Sequence, residues 1–315
     1  MIAVLGECVA DAFAERPPAV RGERSPVELA LRVLPGGGPA NTAVALARLG
    51  TATRFLGRLS GDVFGSLFRE HLTASKVDLS GCVDAAEPST LAVASLDAGG
   101  QATYGFHADG TADWQWTPAE LAALDLTGVS CLHTGSLALV REPGRAAVEA
   151  FAAAARERAT ISIDPNVRPS LAPREAYALT RWCGLADILK LSDDDLRVLR
   201  PGEPVERVCD TWHAAGARLI VVTRGAAGAL VSLDGDRLEV AAPRVAVVDT
   251  VGAGDAFTAG FLHRLGGLGL LGGRLDGLDL ETAGRAAEFA AQVAALTCTV
   301  AGANPPWSHQ LQPER

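Results

Sequence analysis

Short apolar runs rich in β-branched residues alternate along this chain with longer segments in which Ala and Leu recur at helical spacing. The runs at 2–5, 129–133, 160–163, 187–189 and 219–223 are mostly apolar, the pattern of strands buried on both faces of a parallel sheet. Between them the spacing predicts helices over 39–49, 63–74, 143–158, 174–182, 193–199 and 205–215. Pro39 and Gly50 suit the first helical position and the C′ position of the first of these. Strand–helix alternation of this length predicts an α/β fold, a mostly parallel central sheet with helices on both faces. Two segments, about 12–34 and 90–110, break the alternation with Pro, Arg and a two-residue apolar/polar period. They predict antiparallel strands outside the main sheet, a small β-sheet lid; an extended loop with an edge hairpin is the plainer alternative. The Gly/Leu stretch 266–279 reads as a flexible connection without chemistry.

Composition narrows this picture. A length of 315 residues suits one large α/β domain or two modest ones, and 48% apolar with 21% charged residues is ordinary for a globular chain. The net charge of −9 argues against a nucleic-acid surface, which needs clustered cations. Lys76 and Lys190 are the only lysines. The cysteines, Cys8, Cys82, Cys131, Cys183, Cys209 and Cys298, form no C-x-x-C pair and sit largely in apolar runs. They read as buried thiols in a reducing, cytoplasmic compartment. The histidines show no metal-binding spacing. The N-terminal residues have no basic region or long apolar core, so no signal peptide is expected, and no apolar run is long enough to span a membrane.

The strongest chemical signal is Asp249-Thr250-Val251-Gly252-Ala253-Gly254-Asp255. A Val-rich run at 245–250, read as a strand, enters it, and an amphipathic helix leaves it. The glycines allow successive backbone N–H groups to turn inward, and the helix N-terminus adds its dipole, which together make an anion hole. A carboxylate at the rim of a phosphate hole is out of place for binding alone. Asp255 makes sense if it takes the proton of a hydroxyl attacking phosphorus. The plainer reading is a helix start with an acidic first turn. Upstream, Gly36-Gly37-Gly38-Pro39-Ala40-Asn41 would let backbone approach a polyol at Gly37 and Gly38, with Asn41 offering donor and acceptor. No G-x-x-x-x-G-K occurs, so phosphate binding is expected to use amides and a metal, with no lysine near the hole.

These two motifs resemble the two signatures of the PfkB (ribokinase-like) carbohydrate kinases, and the resemblance runs over nearly the whole chain. It implies a single kinase domain over 1–315 with a ribokinase-like three-layer α/β/α fold, the lid being the two inserted segments. It also implies ATP-dependent phosphorylation of a small sugar, with Asp255 as base and Gly252, Ala253 and Gly254 as the anion hole. Lys190 and Ser192 through Asp195 stand where the family commonly reads N-x-x-E, so Ser192 and Asp195 are a departure. Asp195 would meet Mg²⁺ through water; a Ser cap with acids in the first helical turn is the alternative. Thr223, Gly225 and Gly228 resemble the family's nucleotide loop, though a hairpin turn would look the same. Asp249 and Val251, with carbonyls around 297–302, resemble a monovalent-cation site, implying K⁺. Relatives often carry Asn where Ala291 stands, beside Gln292, in the segment that packs on adenine. Pairing of two copies through the lid is common in the family.

The acceptor is read from Asp11, which follows the first strand, from Phe106, and from Asp164-Pro165-Asn166-Val167-Arg168. In the family an Asp at position 11 bonds sugar hydroxyls. Arg168 would donate to sugar oxygens, or else pair with a carboxylate such as Asp187. The combination looks most like bacterial fructokinases. A 2-keto-3-deoxygluconate kinase is the alternative, with Arg168 on the substrate carboxylate. A catalytically silent sugar-binding protein is the alternative of another class. A nucleoside acceptor is less well served, since Phe106, Trp114 and Trp116 are the only aromatic residues available to clamp a base.

Overall fold

The computed structural model describes residues 1–15, 29–96 and 102–311. In chain order the elements begin with β1 (Ile2–Leu5), β2 (Val9–Glu15), β3 (Ala30–Gly36), α1 (Gly38–Arg48), β4 (Thr53–Leu56), β5 (Arg58–Ser60) and α2 (Val63–Ala74). They continue with β6 (Val83–Ala85), β7 (Thr90–Leu96), β8 (Ala102–His107), α3 (Pro118–Ala122), β9 (Cys131–Gly135), α4 (Arg145–Ala155) and β10 (Thr160–Asp164). The remainder are α5 (Leu179–Leu185), β11 (Ile188–Ser192), α6 (Asp193–Leu199), α7 (Val205–Ala214), β12 (Leu219–Thr223), β13 (Ala229–Leu233), β14 (Asp236–Val240), α8 (Ala253–Gly267) and α9 (Leu280–Thr297).

The main sheet runs β14-β13-β12-β11-β10-β9-β1-β4 and is parallel except at β13, which pairs antiparallel with both β12 and β14. Its strands are buried on both sides because alternate residues feed two cores. Ile2, Val4, Ile188 and Val221 join α1, α8 and α9 on one face, while Ala3, Leu5, Leu189 and Ile220 join α4, α5 and α7 on the other. The predicted parallel strands are all present, and the helices fall where spacing put them with one exception. Residues 174–182 divide into a 3-10 turn at Arg174–Ala176 and α5, because the chain leaves helical angles at Tyr177 and Ala178.

A second sheet, β3-β2-β7-β8, stands off the first. Predicted segment 12–34 supplies β2 and β3, and 90–110 supplies β7 and β8; residues 16–28 and 97–101 lie outside the described residues. Its base is one row, Gly36–Val9–Thr90. Buried Asp113 pins that row, accepting from the Cys8 N–H at 2.9 Å and the Thr90 hydroxyl at 2.6 Å.

Two expectations are corrected. The Val-rich run at 245–250 is not a strand: Val247 and Val248 are exposed, and the amides of Val248 and Asp249 both reach the Cys298 carbonyl. Among the described residues the run pairs with no strand. The connection 266–279 is anchored, with Leu275 and Leu278 in the core and the Thr160 hydroxyl bonded to both Gly272 N–H and Gly273 C=O. Among the described residues no helix is long and apolar enough to cross a membrane.

Candidate active site

From β1 the chain builds outward to β4 on one side and later to β9 on the other, so the carboxyl ends of β1 and β9 flank a topological switch point. Ligands of open α/β sheets bind in that crevice. Strain gathers there: Ser136 after β9 and Asn166 after β10 hold left-handed φ values of 49° and 40°, conformations that need support from their surroundings.

The first turn of α8 opens onto this crevice. Gly252 caps the helix at φ 78° with no side-chain bond to the first amides; Ala253 N–H meets the Thr250 carbonyl at 3.2 Å, and the amides of Gly254 and Asp255 that follow are the ones an anion would meet. A Cβ at Gly252 would stand 2.7 Å from that of Ala303, so the turn accepts glycine alone. Asp255, in the same turn, accepts a hydrogen bond from Asn41 Nδ2 at 2.9 Å. Asn41 is carried by α1, whose start fits because Gly37, at φ 101°, passes close to the Glu7 carbonyl. A side chain at Gly38 would strike Asn166 Nδ2 and come within 3.2 Å of Asp255 Oδ1. Gly36 likewise leaves room for the Asp11 carboxylate. The sequence motif G-G-G therefore clears three side chains at once.

Electrostatics in the crevice are dominated by buried acids. Burial pushes the Asp255 carboxyl up, and the Asn41 bond and the Lys190 and Arg168 charges pull it back. Burial also raises Asp11 to about 6, opposed by Arg168 and reinforced by Asp255. Glu7, 2% exposed, is raised to about 7 by burial; its Oε1 accepts from Ser136 and its Oε2 has no partner. Lys190 Nζ sits 2.8 Å from Asp164 Oδ2, both side chains under a tenth exposed. A Cβ on Gly254 would lie 3.1 Å from that ammonium. The expectation of no lysine near the anion hole is thus wrong: β11 is buried up to its end and delivers Lys190 there.

Asp195 occupies a different setting from the one expected of a metal ligand. Its Oδ2 accepts from the Ser192 N–H and hydroxyl at 2.9 and 2.7 Å, and its Oδ1 from Val167 N–H at 2.8 Å. The first two bonds, with the return bond from Asp195 N–H to the Ser192 hydroxyl, form a capping box at the start of α6. The third ties down the loop that carries Asn166 and Arg168. Among the described residues no cluster of three metal-binding side chains exists.

The remaining candidates are placed as follows. Thr223, Gly225 and Gly228 form the tight turn between β12 and β13, closed by Arg224 N–H on the Gly228 carbonyl, at the same edge of the sheet. Asp249 accepts from Val251 N–H and Gly302 N–H at 3.1 and 2.8 Å, which joins the two segments expected to surround a cation. Phe106 shares a cross-strand row with Ala92 and Asp11 on the second sheet, so all three face one side. Trp114 and Trp116 are core residues, 1% and 3% exposed. Ala291 is buried and Gln292 exposed. Asp187 pairs with Arg274 and Arg156, so the ion pair weighed for Arg168 is not made there. Sequence reasoning gave no role to Glu7 or Asn166, although a lone acid after an apolar strand and an Asn after Pro were signals.

Known proteins resemble this chain in sequence and in fold. Residues 1–310 match the family described as pfkB family carbohydrate kinase. A fructokinase of Rhizobium leguminosarum bv. trifolii is 39% identical over 235 residues, 73% of this chain and 71% of that protein. A fructokinase of Xylella fastidiosa, solved with bound ATP, superposes with a TM-score of 0.84 at 28% identity, covering 96% of this chain and 93% of that one. A double mutant of the Vibrio cholerae O395 fructokinase, solved with fructose, ADP and potassium ion, gives 0.79 at 29% identity over 96% and 93% of the two chains.

Proposed function

This chain belongs to the pfkB family of carbohydrate kinases, and from that premise we propose that it phosphorylates fructose at a primary hydroxyl, with ATP as donor. It is a sugar kinase of ribokinase-like fold. In the proposed step the sugar hydroxyl oxygen bonds to the γ-phosphorus while its proton passes to Asp255. The bond from that phosphorus to the bridging oxygen breaks, and ADP leaves. The amides of the α8 first turn face the charge that spreads over the phosphoryl oxygens. Asp11, Asn41 and Arg168 surround the acceptor, with Gly37 and Gly38 clearing its approach and Phe106 on the covering sheet. Thr223, Gly225, Gly228, Lys190 and Ser192 lie along the nucleotide side.

The observation that carries the acceptor is the charge of the crevice. Among the described residues, Asp11, Asp164 and Asp255 face Lys190 and Arg168, and Lys190 is already committed to Asp164. A neutral polyol fits this balance; a sugar acid would add a further anion. The test is competition of fructose against 2-keto-3-deoxygluconate. Fructose is expected to win by at least about tenfold in kcat/KM, about 1.4 kcal/mol of differential transition-state binding. A win for the acid sugar would reassign the acceptor and leave the kinase chemistry standing. An intact Asp255–Asn41 pair favours catalysis over silent sugar binding; absence of ADP release with any sugar would reverse that.

ATP is taken as its Mg²⁺ complex. Among the described residues no cage of side chains stands ready for the metal, and the Asp195 carboxylate already accepts three bonds, so its contact with the metal would pass through water. K⁺ is assigned to the junction of Asp249 and Val251 with 297–302, supported by the Asp249–Gly302 bond. Faster turnover in K⁺ than in choline salts would support this. The second sheet is read as a lid, and Leu31, on its face opposite Asp11, is 46% exposed. Pairing of two copies through that face, in a cytoplasm that keeps the six cysteines free, completes the reading. A monomeric mass in solution would count against the pairing.

A further inference from the structure

Lys190 is the third residue of β11, and the strand's alternation turns it away from the core that receives Leu189 and Leu191. It is 5% exposed, and its charge is met by Asp164 at the end of the neighbouring strand β10. The other oxygen of Asp164 holds the N–H of Asn166. Buried ion pairs add little stability over apolar side chains of the same size, so a purely structural purpose explains the pair poorly. The α8 first turn explains its position better. Gly254 passes so close to the ammonium that an added Cβ would touch it, and the next residue is Asp255.

We propose that Lys190 is a positioning residue for phosphoryl transfer: clamped by Asp164 against Gly254, its fixed positive charge keeps Asp255 in the proton-accepting form while the sugar hydroxyl approaches. The inference rests on Asp255 being the base. The charged groups that bear most on Asp255 among the described residues enter the argument. Lys190 comes from β11, Asp164 and Arg168 from the end of β10 and its loop, and Asp11 from β2, while Asn41 of α1 donates the one hydrogen bond. Burial, Asp164 and Asp11 all favour the protonated acid, and Lys190 outweighs Arg168 among the charges that oppose them. Without Lys190 the acid would hold its proton to higher pH.

The test is the pH dependence of kcat/KM for fructose in Lys190→Met, Lys190→Arg and Asp255→Asn, with folding checked by thermal unfolding. In Lys190→Met the acid limb is expected to move up by at least about one pH unit, with about a tenfold loss at pH 7 that shrinks at pH 9. Lys190→Arg, which keeps the charge, should leave the limb near its wild-type position. A folded Lys190→Met with an unmoved limb, or with an equal loss at every pH, overturns the proposal. Where that variant fails to fold, Asp164→Asn/Lys190→Met removes both charges and is compared with Asp164→Asn alone. A limb at higher pH in the double variant supports the proposal, and coincident limbs overturn it. Substantial activity in Asp255→Asn would instead remove the base assignment itself, which separates the two failures.

Discussion

Asp255→Asn is the substitution that bears hardest on the proposed mechanism. The asparagine keeps the volume of the carboxyl and can turn its carbonyl oxygen to Asn41 Nδ2, so the 2.9 Å bond survives. What is lost is the ability to take a proton, because an amide oxygen is a very weak base. Removal of a general base lowers rates by about 10²–10⁴-fold, or about 3–5 kcal/mol in barrier height. The fold should not suffer. Burial disfavours the Asp255 carboxylate, so a neutral side chain relieves that cost, and the melting temperature at pH 8 should equal or exceed that of the wild type. Sugar affinity should hold, since Asp11, Asn41 and Arg168 are untouched. The assay is ADP release coupled to NADH oxidation with fructose as acceptor, alongside isothermal titration with fructose. A folded variant with kcat within threefold of wild type would refute the base assignment.

Asp11→Ala and Asn41→Ala should raise KM for sugar far more than KM for ATP, each by about 0.5–1.5 kcal/mol. Asn41→Ala should also lower kcat, because it frees Asp255; a loss of ATP affinity with sugar affinity intact would misplace the pocket. Asp195→Ala strips partners from the Val167 and Ser192 amides, at about 1–3 kcal/mol for each left unpaired. It should raise sugar KM more than the Mg²⁺ concentration at half-maximal rate, and the opposite ranking in a metal titration would show that its water-mediated metal role outweighs its hold on the Val167 loop. Glu7 rises from 4.5 to about 7 on folding, so its contribution is fully present below pH 4.5 and is lost as pH climbs through 7, about 3 kcal/mol in all. Glu7→Gln keeps an acceptor for Ser136 and should flatten this fall in urea unfolding across pH 4.5–8; an unchanged slope would show that Glu7 does not cause it.

The parallel strands were legible because each is apolar on both faces, a pattern that survives without knowledge of neighbours. The exposed Val-rich run at 245–250 carries the same composition and is no strand, because pairing depends on whether a partner edge is present. The edge strand β4 and the antiparallel pair β13–β14 were not singled out: β14 is largely exposed and its polar sequence resembles a loop. At the site, Asp255 and Asn41 could be found from their glycine-rich motifs, and Asp11 from its place after the first strand. Lys190 beside Gly254 could not be foreseen, because these residues are far apart in sequence and only the β10–β11 pairing and the docking of α8 bring them together. Asp195 shows the converse: a Ser-x-x-Asp spacing serves a helix cap as well as a hydrated metal, and only its third bond, to Val167, separates the two readings.

The pinned base of the second sheet makes that sheet a lever. Three residues separate β1 from β2, one separates β3 from α1, and Asp113 grips the row between. At about 3.4 Å per residue, β2 reaches roughly 20 Å from this fulcrum, while Asp11, two residues along, is only about 7 Å out. A rotation of about 10° there carries the far end through about 3.5 Å and Asp11 through about 1 Å. Such a rotation would sweep the blade of the sheet open while Asp11, the acid proposed to meet the sugar, stayed almost in place. Spin labels at Leu31 and at an exposed α9 site such as Gln292 should report this unequal travel on addition of sugar.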